Sequence, residues 1–210
     1  ASDTTAETVG QGVLLVNLGS PDSPETGDVR RYLRQFLSDA RVLDIPGPVR
    51  QTILNLFILP FRPRASGEAY ESIWTEEGSP LIVTTYRVAD MLQERLGEVP
   101  VEVAMRYGNP STADGLRRLR SRGVRDVFVI PMYPHYAMSS YETVVAKTRD
   151  VIDELGVQID LTVQPPFYDD PDYIDALLDS AKEYLQRDFD MLLFSYHGVP
   201  VRHIKKGDPS

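Results

Sequence analysis

Val13-Leu14-Leu15-Val16-Asn17-Leu18-Gly19-Ser20-Pro21 is the stretch whose reading decides the fold class. Its apolar run is too short for a buried helix and ends in helix breakers. It reads as a strand buried on both faces, as in a parallel sheet. Ser23-Pro24-Glu25 follows as a helix start, with Ser23 as N-cap and Pro24 in the first turn. Val29, Tyr32, Leu33, Phe36 and Leu37 then recur at helical spacing.

Working outward, the same alternation repeats. Strands are predicted over Val99 to Met105, Val124 to Pro131, Gln158 to Val163 and Met191 to Tyr196. Helices are predicted over Leu81 to Leu96, Ser111 to Ser121, Ser139 to Leu155 and Pro171 to Leu185. Strand–helix alternation implies an α/β fold with a doubly wound, mainly parallel sheet and helices on both faces. Residues 1–11 read as a disordered polar tail, and residues 12–164 as one complete domain. Gln164-Pro165-Pro166-Phe167 reads as a connector. Residues 165–210 are expected to be the truncated start of a second domain.

Residues 46–64 differ in character. Ile53, Leu54, Leu56, Phe57, Ile58, Leu59 and Phe61 surround a helix axis on nearly all sides, between prolines at 46, 48, 60 and 63. The segment is either a buried helix or an exposed apolar lip for a greasy ligand.

The 210 residues carry a net charge of −9, with 42% hydrophobic and 25% charged residues. That balance disfavours a nucleic-acid partner, which needs a basic face. Arg117, Arg118, Arg120, Arg122 and Arg125 read as a solvated helix face and its exit turn. The chain lacks cysteine. Thiolate zinc sites, cysteine nucleophiles and Cys-ligated iron–sulfur clusters are therefore excluded within it. No apolar run is long enough to span a bilayer, and no secretion signal is visible, so a cytoplasmic location is expected.

Ligands of open parallel sheets bind beyond the carboxyl ends of the strands. Those ends deliver Leu18 and Gly19, then Arg106 and Tyr107, then Tyr133, His135 and Tyr136, then Tyr196 and His197. Tyr and Met walls suit a flat aromatic ligand, and Arg106 could fork onto a carboxylate or form a structural ion pair. Dinucleotide, P-loop and nucleophile-elbow signatures are absent. His197 ends an apolar run and precedes Gly198-Val199-Pro200, so its imidazole could ligate a divalent metal or accept protons. His135 either lines the cleft or fills it. His203, among Arg202, Lys205 and Lys206, is expected to face solvent. Ser139 and Ser140 could cap a helix whose start, at Tyr141 and Glu142, offers backbone N–H groups to an anion.

Six segments in order resemble ferrochelatases. They are Leu14 to Pro21, Gly78-Ser79-Pro80-Leu81, Met105-Arg106-Tyr107-Gly108-Asn109-Pro110, Pro131-Met132-Tyr133-Pro134-His135-Tyr136, Ser195-Tyr196-His197-Gly198-Val199-Pro200 and Lys206-Gly207-Asp208-Pro209. The resemblance runs from about Gly12 to the end and is of bacterial style. It implies two similar Rossmann-like domains around a porphyrin cleft, and insertion of Fe²⁺ into protoporphyrin IX as the last step of protoheme synthesis. It implies His197 as the catalytic and metal-side histidine. It implies Arg106, Tyr107, Tyr133 and His135 at the porphyrin, Tyr70 and Ser79 near the cleft lip, and Leu18 facing the metal side without a donor atom. It places Ile53 and Phe57 in a mobile lip that covers the porphyrin and can touch membrane.

Fe²⁺ is expected as substrate, with no cofactor required within this segment. The family's acidic residue opposite the histidine would lie beyond Ser210, so this stretch alone is expected to have little or no activity. Another tetrapyrrole chelatase, of coproporphyrin or sirohydrochlorin type, and a non-catalytic porphyrin- or heme-binding module are the alternatives.

Overall fold

A computed structural model describes residues 10–207. Residues 1–9 of the expected tail, and Asp208 and Pro209 of the last quoted motif, lie outside the described residues. Four strands form one sheet: β1 (Gln11–Asn17), β2 (Val101–Met105), β3 (Asp126–Pro131) and β4 (Asp160–Val163). Their order is β2-β1-β3-β4 and every pairing is parallel. Leu15 at the centre of β1 stands beside Val103 of β2 and Ile130 of β3.

Alternation along β1 divides its side chains between two cores. Leu14 and Val16 pack with Leu116 and Leu119 of α5 (Thr112–Ser121) and Val144 and Val151 of α6 (Thr143–Leu155). Val13 and Leu15 pack on the other face with Ala89 of α4 (Pro80–Leu96). Helices cover both faces, so the doubly wound α/β arrangement expected from the run at 13–17 is the fold. A third core joins Val29, Tyr32, Leu33 and Leu37 of α1 (Thr26–Ser38) to Leu54, Leu59 and Tyr107.

Element ends depart from expectation for local reasons. Gln11 already pairs with Asp126, so the first strand reaches into the expected tail. β2 begins at Val101, because Pro100 has no N–H to give; its carbonyl instead accepts from Val13 N–H at 2.8 Å. α1 begins at Thr26, after Pro24. Ser23 stays outside it, accepting from Glu25 N–H at 3.2 Å and donating to Asp28 at 2.6 Å. Ser139 and Ser140 do not cap a helix: a π-helical turn, Met138–Glu142, precedes α6, with Ala137 at its cap position. α5 starts as read, with Ser111 and Asp114 closing a capping box.

Residues 46–64 answer both readings at once. α2 (Gly47–Ile53) runs into a second π-helical turn, Leu54–Ile58, and α3 (Arg62–Glu71) follows. Leu54 and Leu59 are buried, whereas Leu56, Phe57 and Phe61 are 61%, 66% and 73% exposed. The basic cluster is also divided. Arg118 and Arg122 clasp Glu102 at 2.6 and 3.2 Å rather than standing free in solvent.

Beyond β4, α7 (Pro171–Leu185) is capped by the Asp170 carboxylate and buries no residue fully. The expected fifth strand does not form. Met191 to Tyr196 has no regular structure, and Leu193 and Phe194 are 81% and 70% exposed. A parallel strand needs neighbours to take its N–H and C=O groups. Among the described residues none lies beside this segment. A short helix, α8 (Val201–Gly207), closes the described chain.

Candidate functional site

Backbone hydrogen bonds beyond the strand ends hold three exits side by side. Arg106 N–H donates to Asn17 C=O at 2.8 Å, Tyr107 N–H to Leu18 C=O at 2.9 Å, and Met132 N–H to Val16 C=O at 2.9 Å. Gly19 makes the first exit turn, with φ of +102°. A Cβ there would stand 1.7 Å from the Tyr107 carbonyl oxygen.

Over these exits opens a cleft of about 690 Å³. Leu18 and Phe36 form part of its floor, Tyr133 to Ala137 with Ser139 and Ser140 one wall, and Tyr196 to Pro200 with His203 the other. The structure thus brings Leu18, Tyr133, His135 and His197 together. Among the described residues no Asp, Glu, Lys or Arg lines the cleft. Its polar atoms come from imidazole, phenol, hydroxyl and backbone groups.

His197 is exposed within the irregular segment 191–200. What holds that segment near the wall is aromatic. The His135 ring stacks on Tyr168 at 5.4 Å and meets Tyr196 edge-on at 6.2 Å. Tyr133 lines the cleft with its hydroxyl buried and without a hydrogen-bond partner, and burial pushes that phenol's pKa up.

Arg106 and Tyr107 do not face the cleft. Both are committed to Asp39 beneath it. Asp39 accepts from the Arg106 guanidinium, from Tyr107 Oη at 2.9 Å, from Thr143 Oγ1 at 2.5 Å and, through its other oxygen, from Arg41 N–H at 2.8 Å. Arg106 Nε also donates to Thr143, and its guanidinium lies 4.3 Å over the Tyr107 ring. Burial pushes the Asp39 carboxyl up. The bonds from Thr143, Arg41 and Tyr107, with the Arg106 charge, outweigh it and hold that pKa below the usual carboxylate value. Arg106 forms a nearly buried ion pair with Asp39, and Tyr107 is fully buried.

Tyr70, Ser79, Ile53 and Phe57 do not line the cleft either. Tyr70 packs its ring edge-on against Tyr32 at 6.3 Å. Ser79 is buried at the start of α4 and makes no side-chain cap. Ile53 is half-buried at the end of α2, and Phe57 projects from the π-helical turn.

His203 corrects an expectation. It is 3% exposed rather than solvent-facing, and neither ring nitrogen has a hydrogen-bond partner. Its charged neighbours Arg202 and Lys206 reach outward to Asp44, at 3.4 and 2.6 Å, which turns the imidazole inward. Asp39 was also missed, because one carboxylate after a helix end looks like any surface residue. The only signal for His203 was its six-residue distance from His197.

A family model described as Ferrochelatase matches residues 10–209. The chain is 52% identical over 198 residues to a ferrochelatase of Azotobacter vinelandii, covering 94% of this chain and 58% of that protein. Against a ferrochelatase of Ectopseudomonas mendocina it is 48% identical, with the same two coverages. Against one of Opitutus terrae it is 50% identical over 202 residues, covering 95% of this chain and 59% of the relative. The chain thus spans under three fifths of the length of these curated relatives.

Proposed function

We propose, for a chain that belongs to the ferrochelatase family, that the protein inserts Fe²⁺ into protoporphyrin IX. The observation that carries this reading is His197 on the wall of an uncharged, aromatic-lined cleft over the strand exits. In the reaction Fe²⁺ enters the macrocycle and two pyrrole N–H protons leave, giving protoheme and two protons. A rigid planar ring offers its lone pairs badly to an incoming metal. A protein speeds insertion by bending the ring and by placing a base or metal donor at its centre.

In this reading Leu18, Phe36 and Tyr133 supply apolar contact to the macrocycle. Leu18 carries no donor atom, so it shapes the metal side without binding the ion. His197 takes a pyrrole proton or hands over the metal, and neutral imidazole suits either task. The Asp39–Arg106–Tyr107 network braces the floor from below. Exposed Leu56, Phe57 and Phe61 form the lip that covers the porphyrin and gives a peripheral membrane contact to a cytoplasmic protein. Among the described residues no helix is long and apolar enough to cross a membrane.

The test is anaerobic Fe²⁺ insertion into protoporphyrin IX by the protein completed from its gene, followed by the protoheme spectrum, with His197→Ala alongside. Insertion that falls by at least about a hundredfold in the variant supports the reading. A folded protein that binds porphyrin without metallating it is a binding module instead. Porphyrins with two, four and eight carboxylates separate a protoporphyrin enzyme from coproporphyrin and sirohydrochlorin-type relatives.

A further inference from the structure

We propose that His203 is a second imidazole ligand for a late first-row divalent cation in this cleft, receiving the metal before it reaches the macrocycle. The role as transit ligand rests on the reading above; the metal binding itself does not.

The argument starts from an unbalanced residue. A neutral imidazole has one N–H to give and one lone pair to fill. His203 is 97% buried by its 3% exposure, and neither nitrogen has a partner among the described residues. A buried polar group left so costs stability unless something in the cleft completes it. His203 lines that cleft together with His197, and His135 is there too, so all three histidines of the chain border one cavity.

The chemistry of the lining says what completes it. A carboxylate ligand would call for Arg or Lys, and among the described residues none lines the cleft. Arg202 and Lys206 are turned away onto Asp44. Mg²⁺ or Ca²⁺ would call for carboxylate oxygens, and among the described residues these do not line the cleft either. Imidazole nitrogens without carboxylates favour Fe²⁺, Co²⁺ or Zn²⁺. The His135 ring packs against Tyr168 and Tyr196, and the ion is assigned to the other two imidazoles, His197 and His203. Among the described residues no three metal-donor side chains form a closed cage. A two-imidazole site completed by water holds a metal weakly, which suits an ion that must be passed on.

Co²⁺ serves as the probe, without porphyrin. The expected result is two contact-shifted imidazole N–H proton resonances in the unaltered protein. One should remain in His203→Leu and one in His197→Ala, with Co²⁺ affinity lower by about tenfold or more in each. Excess Mg²⁺ should displace neither. Circular dichroism confirms that His203→Leu, which fills the same buried space, stays folded; His203→Gln is the second variant should it not. Two resonances persisting without His203, or displacement by Mg²⁺, overturns the proposal. So does a loss of porphyrin affinity with Co²⁺ binding unchanged. Two-histidine Co²⁺ binding in a protein that inserts no iron would leave this inference standing and remove the ferrochelatase activity.

Discussion

Arg106 and Asp39 lie 67 positions apart in the chain and meet as a nearly buried ion pair, their side chains 11% and 7% exposed. The pair ties the exit of β2 to the end of α1, and Tyr107 beside it packs edge-on against Phe36 of the cleft at 5.0 Å. Thr143 and Tyr107 donate to the same carboxylate oxygen, which joins the start of α6 to the same point. Removing one partner leaves the other charged and buried. Arg106→Ala should therefore cost about 3 kcal/mol or more in urea unfolding, far beyond an exposed ion pair.

The same carboxylate sets part of the acid limb of stability. Its folded pKa is depressed, so its contribution is fully present above the unfolded value of about 3.9 and is lost as pH falls through the lower folded value. Asp39→Asn should flatten the stability–pH curve below about pH 4 and lower the plateau above it. Thermal melts from pH 2 to pH 7 check both features. A parallel downward shift of the whole curve would contradict the assignment.

Gly19 meets a stricter condition than a turn alone imposes. Its φ of +102° already excludes an ordinary side chain, and a Cβ would collide with the Tyr107 carbonyl. Gly19→Ala should destabilise by at least about 3 kcal/mol. Gly156→Ala, also at positive φ but with nothing near its Cβ, should cost clearly less. Parallel urea titrations give the comparison.

Within the segment 53–61 two kinds of apolar residue respond oppositely. Leu54→Ala should cost about 2–5 kcal/mol, since Leu54 is fully buried in the core under α1. Phe57→Ser and Phe61→Ser should change stability by under about 0.5 kcal/mol. They should nonetheless reduce partition onto anionic lipid vesicles, measured by sedimentation.

His135 should act on His197 through Tyr196. Aromatic pairs are worth about 0.5–1.5 kcal/mol each. His135→Ala removes both of its ring contacts, so amide hydrogen exchange of Tyr196 to Val199 should quicken several-fold. Exchange in β1 should stay unchanged, which separates local release from global unfolding.

The sequence by itself determined the layered α/β sheet. The run at 13–17, the helical spacing of 29–37 and the helix start at Ser111 are local signals, and each is read within a dozen residues. It also determined that Leu18, Tyr133 and His135 come together, because each follows the end of β1 or β3 and parallel strands present their carboxyl ends on one edge. Tertiary structure alone decided the rest. Arg106 could have gone to a ligand or to an ion pair until Asp39 was brought under it. His203 looked solvated until its charged neighbours found Asp44 and turned it inward. The run at 191–196 reads as a strand, yet a strand exists only where another takes its hydrogen bonds. Such outcomes depend on partners dozens of residues away, and no local pattern encodes a partner that distant.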